Sequence, residues 1–153
     1  MGLVAAVLAS LRPRQWAKNL FVFAGVIFSQ QLFTPQVWRA VAAFALFCAL
    51  SGAIYLLNDV ADEEKDRLHP TKRRRPVASG ALSRGLALGI GVALLAASVV
   101  VSFGLGVPFG LVAVSYGVLL TAYSVWLKHL VILDVLTVAV GFVPTITAQP
   151  QSV

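Results

Sequence analysis

Residues 37–57 carry a single charge, Arg39, in a stretch otherwise dominated by Ala, Leu, Phe and Val. At about 1.5 Å per residue such a stretch makes a helix roughly 30 Å long, the thickness of a bilayer's hydrocarbon core. Four more apolar stretches accompany it, at residues 16–33, 86–103, 107–127 and 130–143. Lys18 and Asn19 interrupt the start of the first, and Asp134 lies inside the last. Gly104, Gly106 and Pro108 separate the third stretch from the fourth, and Lys128 and His129 separate the fourth from the fifth. Breaks this short leave no room for soluble domains and predict helical hairpins. The expected fold is all-α: a polytopic transmembrane helical bundle of about five spans, with residues 1–153 as a single transmembrane domain.

Composition points the same way. The chain is 59% hydrophobic and 12% charged, where a soluble domain is about a quarter charged. The net charge of +6 does not imply nucleic-acid binding, because the basic residues gather at the ends of apolar stretches. With the N-terminus inside, eleven of the twelve Lys and Arg fall on one side and only Arg39 on the other. That asymmetry places the N-terminus and the loop at 58–83 in the cytoplasm of a multi-pass plasma-membrane protein. Cys48, the one cysteine, reads as a small packed hydrophobe. The first ten residues lack the basic start and cleavage site of a removed signal peptide. Gly85 and Gly89 make a GxxxG match for close helix packing.

The loop holds the chemistry. Five of the six acidic residues lie in Asn58-Asp59-Val60-Ala61-Asp62-Glu63-Glu64-Lys65-Asp66, and Lys72, Arg73, Arg74 and Arg75 follow. If the second apolar helix continues past residue 57, Asp59, Asp62 and Asp66 share one face, Asn58 lies beside it, Glu63 flanks it and Glu64 points away. Carboxylates so placed repel one another unless a cation sits between them. A hard divalent ion bridging phosphate oxygens meets that need, with Lys and Arg neutralising the remaining charge. The alternative is a solvated loop in which the acids pair with Lys65, Arg67 and the basic run. His69 and His129 have no ligand companions at suitable spacing and take no role.

The pattern Asn58-Asp59-x-x-Asp62-x-x-x-Asp66, followed by Thr71-Lys72-x-x-Arg75-Pro76 and Ser79-Gly80, resembles the first aspartate-rich motif of the UbiA prenyltransferase superfamily. The opening Leu11-Arg12-Pro13-Arg14-Gln15-Trp16-Ala17-Lys18-Asn19 is similar to the branch that transfers phosphoribose from phosphoribosyl diphosphate to decaprenyl phosphate. The residues from Tyr123 to Lys128, and Asp134, resemble the end of that family's fourth helix and the start of its fifth.

The resemblance implies a magnesium-dependent membrane transferase that supplies a precursor of cell-wall arabinan. In it Asp59, Asp62 and Asp66 are catalytic, and with Asn58 they hold Mg2+. Lys18, Lys72, Arg74, Arg75, Tyr123, Lys128 and Asp134 are the implied substrate-binding residues. The implied partners are phosphoribosyl diphosphate, a polyprenyl phosphate and membrane lipid, with no nucleic acid, and homo-oligomer formation is left open. Two alternatives stand beside it: a UbiA-type prenyltransferase acting on an aromatic or other small acceptor, and a non-catalytic membrane protein that binds anionic lipid through residues 72–75. No acid follows Asp134, so the family's second aspartate-rich motif is absent. The uncharged tail at 144–153, PTITAQPQSV, departs from the pattern. The chain is therefore expected to be the front portion of a UbiA-type bundle and inactive by itself.

Overall fold

The computed structural model describes residues 2–28, 30 and 33–126, the last four by backbone alone. The side chain of Tyr123, together with Lys128, Asp134, the stretch 130–143 and the tail 144–153, lies outside the described residues. Six α-helices are present among the described residues: α1 (Leu3–Ser10), α2 (Val22–Phe28), α3 (Gln36–Ala61), α4 (Glu63–Leu68), α5 (Arg84–Gly104) and α6 (Val107–Trp126). Short 3-10 helices at Pro13–Phe21 and Lys72–Arg74 complete the described elements. The all-helical expectation holds.

The long helix α3 is the axis of the packing. One group of buried side chains joins α1 (Ala6) to α3 (Leu56, Val60), to the loop residues Val77 and Leu82, and to Ala87 of α5. A second joins Val22 and Val26 of α2 to Ala40, Ala43 and Phe47 of α3, with Phe109 and Tyr116 of α6 against them. A third joins Leu50 and Ile54 of α3 to Ala113 and Leu120 of α6. The close approach of α5 to α3 falls at Gly91, where an added Cβ would lie 2.8 Å from Leu57. A Cβ at Gly85 or Gly89 would meet nothing within 4 Å, so the GxxxG pair is not the contact face among the described residues. The α5–α6 hairpin turns where the sequence breaks: α5 ends at Gly104 and Gly106 takes a φ of +140°, open to glycine without strain.

Helices α3 and α5 are each long and apolar enough to cross a membrane. On α5, Val92, Val100 and Val101 are 52%, 70% and 51% exposed. A helix apolar all round yet uncovered on one side suits lipid or further helices as its surroundings, not water. The stretch at 16–33 is not one α-helix. It divides into the 3-10 helix Pro13–Phe21 and the short α2. The cause lies in Asn19, which is 1% exposed. Its amide donates to Ser51 Oγ and Cys48 Sγ, each at 3.4 Å, and its oxygen accepts from Tyr116 Oη at 3.2 Å. Three polar partners on two other helices hold that turn inward, while Lys18 beside it stays exposed.

Candidate functional site

The acidic run is structured. Helix α3 carries Asn58 and Asp59 to its end at Ala61, and Asp62 makes the junction with φ −92° and ψ 7°. The backbone keeps a helical hydrogen-bond pattern through the junction, Asp62 N to Asn58 O at 2.9 Å and Asp66 N to Asp62 O at 2.8 Å. Asp59 and Asp66 thus stay on one side of the chain although the helix is broken between them. In α4 the acids stand in the first turn and Lys65 and Arg67 in the last, the order a helix dipole favours.

The basic run is delivered by a folded loop. Val77, Ala78 and Leu82 are buried, and Leu82 N donates to Pro76 O at 2.9 Å. Gly80 takes the left-handed turn at φ +77°. This anchorage fixes the base of Arg75. Its Nη1 donates to Asp66 Oδ2 at 2.6 Å and to Asp59 Oδ1 at 3.1 Å, so one nitrogen bridges both carboxylates. Lys72 Nζ stands 4.0 Å from the other oxygen of Asp66. Both aspartates are 2% exposed, and such burial of charge is tolerated only with partners of this kind.

A second guanidinium reaches Asp59 from the N-terminal turn. Arg12 Nη2 lies 2.5 Å from Asp59 Oδ1, and the same guanidinium lies 4.8 Å over the ring of Tyr55, one helical turn before Asp59. Leu11 packs on Gly52, where a Cβ would lie 3.1 Å from its Cδ2. Gly52, Tyr55 and Asp59 therefore form one face of α3 that receives the turn. Arg12 itself sits in the left-handed region at φ 52°, ψ 62°, a conformation that costs a non-glycine residue about 1 kcal/mol or more. Glu63 makes a separate pair of contacts, to Arg67 Nη2 at 2.5 Å and Arg84 Nη1 at 3.5 Å, which ties α4 to the start of α5.

Of the residues expected from sequence, Asp59, Asp66, Lys72 and Arg75 are brought together. Asp62 and Asn58 are half-buried next to them, and Arg74 is exposed on the 3-10 turn at Lys72–Arg74. Lys18 is exposed on the 3-10 helix Pro13–Phe21. The acids do pair with bases, as the solvated-loop alternative supposed, but in a buried cluster. Arg12 is the member that motif reading missed. Pro13 disfavours the right-handed helical region at the residue before it, but nothing local marks Arg12 as a partner of Asp59.

The donor chemistry suits a hard divalent ion, since Asp59 and Asp66 offer carboxylate oxygens converging on one point. Among the described residues no three His, Cys, Asp or Glu side chains already form a ligand set. The guanidinium of Arg75 stands where the two carboxylates converge.

An apolar groove of about 560 Å³ runs between α3, α5 and α6, lined by Leu50, Ile54, Leu95, Val99, Gly117 and Val118 among others. Asn58 falls on the same face of α3 as Leu50 and Ile54, one turn or about 6 Å beyond Ile54. The groove thus points towards the acidic end of the helix.

Residues 18–148 match the UbiA prenyltransferase family. A decaprenyl-phosphate phosphoribosyltransferase of Corynebacterium glutamicum is 40% identical over 146 residues, covering 92% of this chain and 44% of that protein. The enzyme of the same name from Mycolicibacterium smegmatis is 36% identical, with 92% of this chain and 46% of that protein covered. A protoheme IX farnesyltransferase of Cereibacter sphaeroides is 38% identical over 127 residues, covering 79% of this chain and 39% of that protein. The chain spans about half the length of the curated relatives it matches. With helices built for a membrane and a buried aspartate cluster at the end of one of them, the chain belongs to the UbiA prenyltransferase family.

Proposed function

We propose that the full-length protein containing these residues transfers phosphoribose from phosphoribosyl diphosphate to a polyprenyl phosphate at the cytoplasmic face of the plasma membrane. The observation that carries this reading is the buried Asp59–Arg75–Asp66 bridge at the end of a helix whose other face lines an apolar groove. The groove takes part of the prenyl chain and the polar cluster takes the phosphates. Relatives named decaprenyl-phosphate phosphoribosyltransferase at 35–40% identity favour this donor and acceptor, and the product then serves cell-wall arabinan synthesis. Helices α3 and α5 serve as two spans of a larger bundle, for which the hydropathy of the sequence suggests about five spans in this chain.

Asp59, Asp62 and Asp66, with Asn58, would hold Mg2+, which when bound would supply positive charge to the leaving diphosphate. Lys72, Arg74 and Arg75 bind phosphate oxygens, the guanidiniums by their forked geometry. As the bond from the anomeric carbon to the diphosphate breaks, these cations stabilise the growing charge more than the ground state. Arg12 holds Asp59 in place through the oxygen that Arg75 also contacts.

The test is turnover of phosphoribosyl diphosphate with polyprenyl phosphate by the full-length protein. Asp59→Asn and Asp62→Asn should each abolish Mg2+-dependent turnover with membrane insertion unchanged. Near-parental activity in both variants refutes the assignment. The farnesyltransferase relative supports a second reading, prenyl transfer to a small acceptor. Release of diphosphate from a prenyl diphosphate, and none from phosphoribosyl diphosphate, would establish that reading instead.

A further inference from the structure

At the bridge, Arg75 occupies the place where two carboxylates converge. Two carboxylates, Asp59 and Asp66, face three cationic side chains, Arg12, Arg75 and Lys72. Two of those cations, Arg12 and Arg75, crowd the same oxygen, Asp59 Oδ1. A divalent cation that took the facing oxygens of Asp59 and Asp66 would stand where the Arg75 guanidinium now stands, in a site where both acids are 2% exposed and burial weakens screening. It can take those oxygens only when that guanidinium steps out.

The two arginines differ in their freedom to step out. Arg12 is held by a left-handed backbone, by the ring of Tyr55 beneath its guanidinium and by Leu11 seated on Gly52. Among the described residues, no ring lies under the Arg75 guanidinium. Its backbone is fixed by the loop at residues 76–82, and its side chain reaches the acids from outside α3; the two guanidiniums are equally exposed, 28% for Arg12 and 27% for Arg75, so what separates them is anchorage. Arg74 and Arg73, its neighbours, are exposed, so a phosphate arriving there meets cations beside Arg75.

We propose that Arg75 is an exchangeable cation. It bridges Asp59 and Asp66 while the site awaits substrate, then yields that position to a divalent cation and turns its guanidinium to the donor's diphosphate. The exchange puts a divalent cation in place of a monovalent one at the carboxylates, and the donor's diphosphate supplies the anion that compensates the added charge. Arg12 stays, and keeps Asp59 oriented throughout. This inference rests on the metal reading proposed above and adds to it an order of events and a second partner for Arg75.

The exchange makes two predictions of opposite sign. Loss of Arg75 removes a competitor of the metal and a ligand of the donor, so metal binding should tighten while donor binding weakens. A purely structural bridge would lose both together. The experiment measures Mn2+ binding without donor, by electron paramagnetic resonance of the free ion. Phosphoribosyl diphosphate binding at saturating Mn2+ is then measured by calorimetry. Both use the full-length protein.

Arg75→Gln should bind Mn2+ about three- to tenfold more tightly than the parent and the donor about tenfold more weakly, the range of one charge-assisted contact. Mn2+ binding equal to or weaker than the parent's overturns the exchange. Should Arg75→Gln fail to fold, Arg75→Lys carries the test. It keeps one charge on a shorter side chain without the planar guanidinium, and should shift both affinities in the same directions by smaller factors. Unchanged or weakened Mn2+ binding in Arg75→Lys overturns the proposal equally. Asp59→Asn separates the two layers of the argument. If it loses Mn2+ binding, the metal reading stands whatever Arg75 does; if it binds Mn2+ like the parent, the metal reading and the exchange both fall.

Discussion

Removing the Arg12 side chain separates two contributions that the structure superimposes at one residue. The side chain holds one of the two guanidiniums on buried Asp59, and the backbone stands in the left-handed region. Stripping a buried carboxylate of all compensation costs about 3–5 kcal/mol. Here Arg75 remains, so the loss approaches that of one charged hydrogen bond, about 1.5–3 kcal/mol. The contact over Tyr55 adds about 0.5–1 kcal/mol. Arg12→Ala should therefore destabilise by about 2–4 kcal/mol while keeping the backbone strain. Arg12→Gly loses the same side chain but relieves the strain, and the gain is partly offset by glycine's greater freedom when unfolded. It should be more stable than Arg12→Ala by about 0.5–1 kcal/mol. Thermal unfolding of the two variants and the parent in one detergent gives the order. Arg12→Ala at or above Arg12→Gly would refute the strain, and parental stability in both would refute the ion pair's contribution.

Three other outcomes follow from the packing and the charge pattern. A cysteine at Ser79 should react with a membrane-impermeant reagent only from the cytoplasmic face, and one at Thr34 only from the other; labelling of Ser79→Cys in intact cells overturns the orientation. Gly91→Val, which drives methyl groups into Leu57, should cost about 1–3 kcal/mol, whereas Gly89→Val should stay within about 0.5 kcal/mol; equal losses in a melting experiment would disprove the assigned helix contact. Gly117→Leu fills the groove between α3 and α6 and should weaken polyprenyl phosphate binding while leaving Mn2+ binding as it was, and an unchanged affinity for the lipid would remove the groove from the site.

The long helices were legible because apolar length alone specifies them, and α3 and α5 begin and end within a few residues of the hydropathy limits. The aspartate spacing likewise announced Asp59 and Asp66, since seven residues return a side chain to nearly the same face even across the junction at Asp62. Other features were not readable. The segment from Pro13 to Phe28 looked like one span because hydropathy sees Asn19 only as a polar blemish, and its three partners lie 29 to 97 residues away. Arg12 was counted as a topology charge, because nothing local reveals that a residue of the N-terminal turn will meet an acid 47 positions on. The GxxxG pair misled for a related reason. Which glycine faces a neighbour depends on the rotation of α5, and that is set by Ala87 and Ile90 packing towards Leu56 and Val60.

The hydrogen bonds of Asn19 also set a timetable for assembly. Ser51 and Cys48 become available as soon as α3 has been made, but Tyr116 lies 97 residues beyond Asn19 and belongs to α6. Until that helix leaves the ribosome and enters the bilayer, the oxygen of Asn19 lacks its phenolic partner, and the 3-10 segment is held from one side only. The beginning of the chain is thus among the last parts to be locked. An arrest of synthesis between α5 and α6 would leave its first helical segments docked on α3 but unfastened, exposed to the quality-control proteases of the membrane.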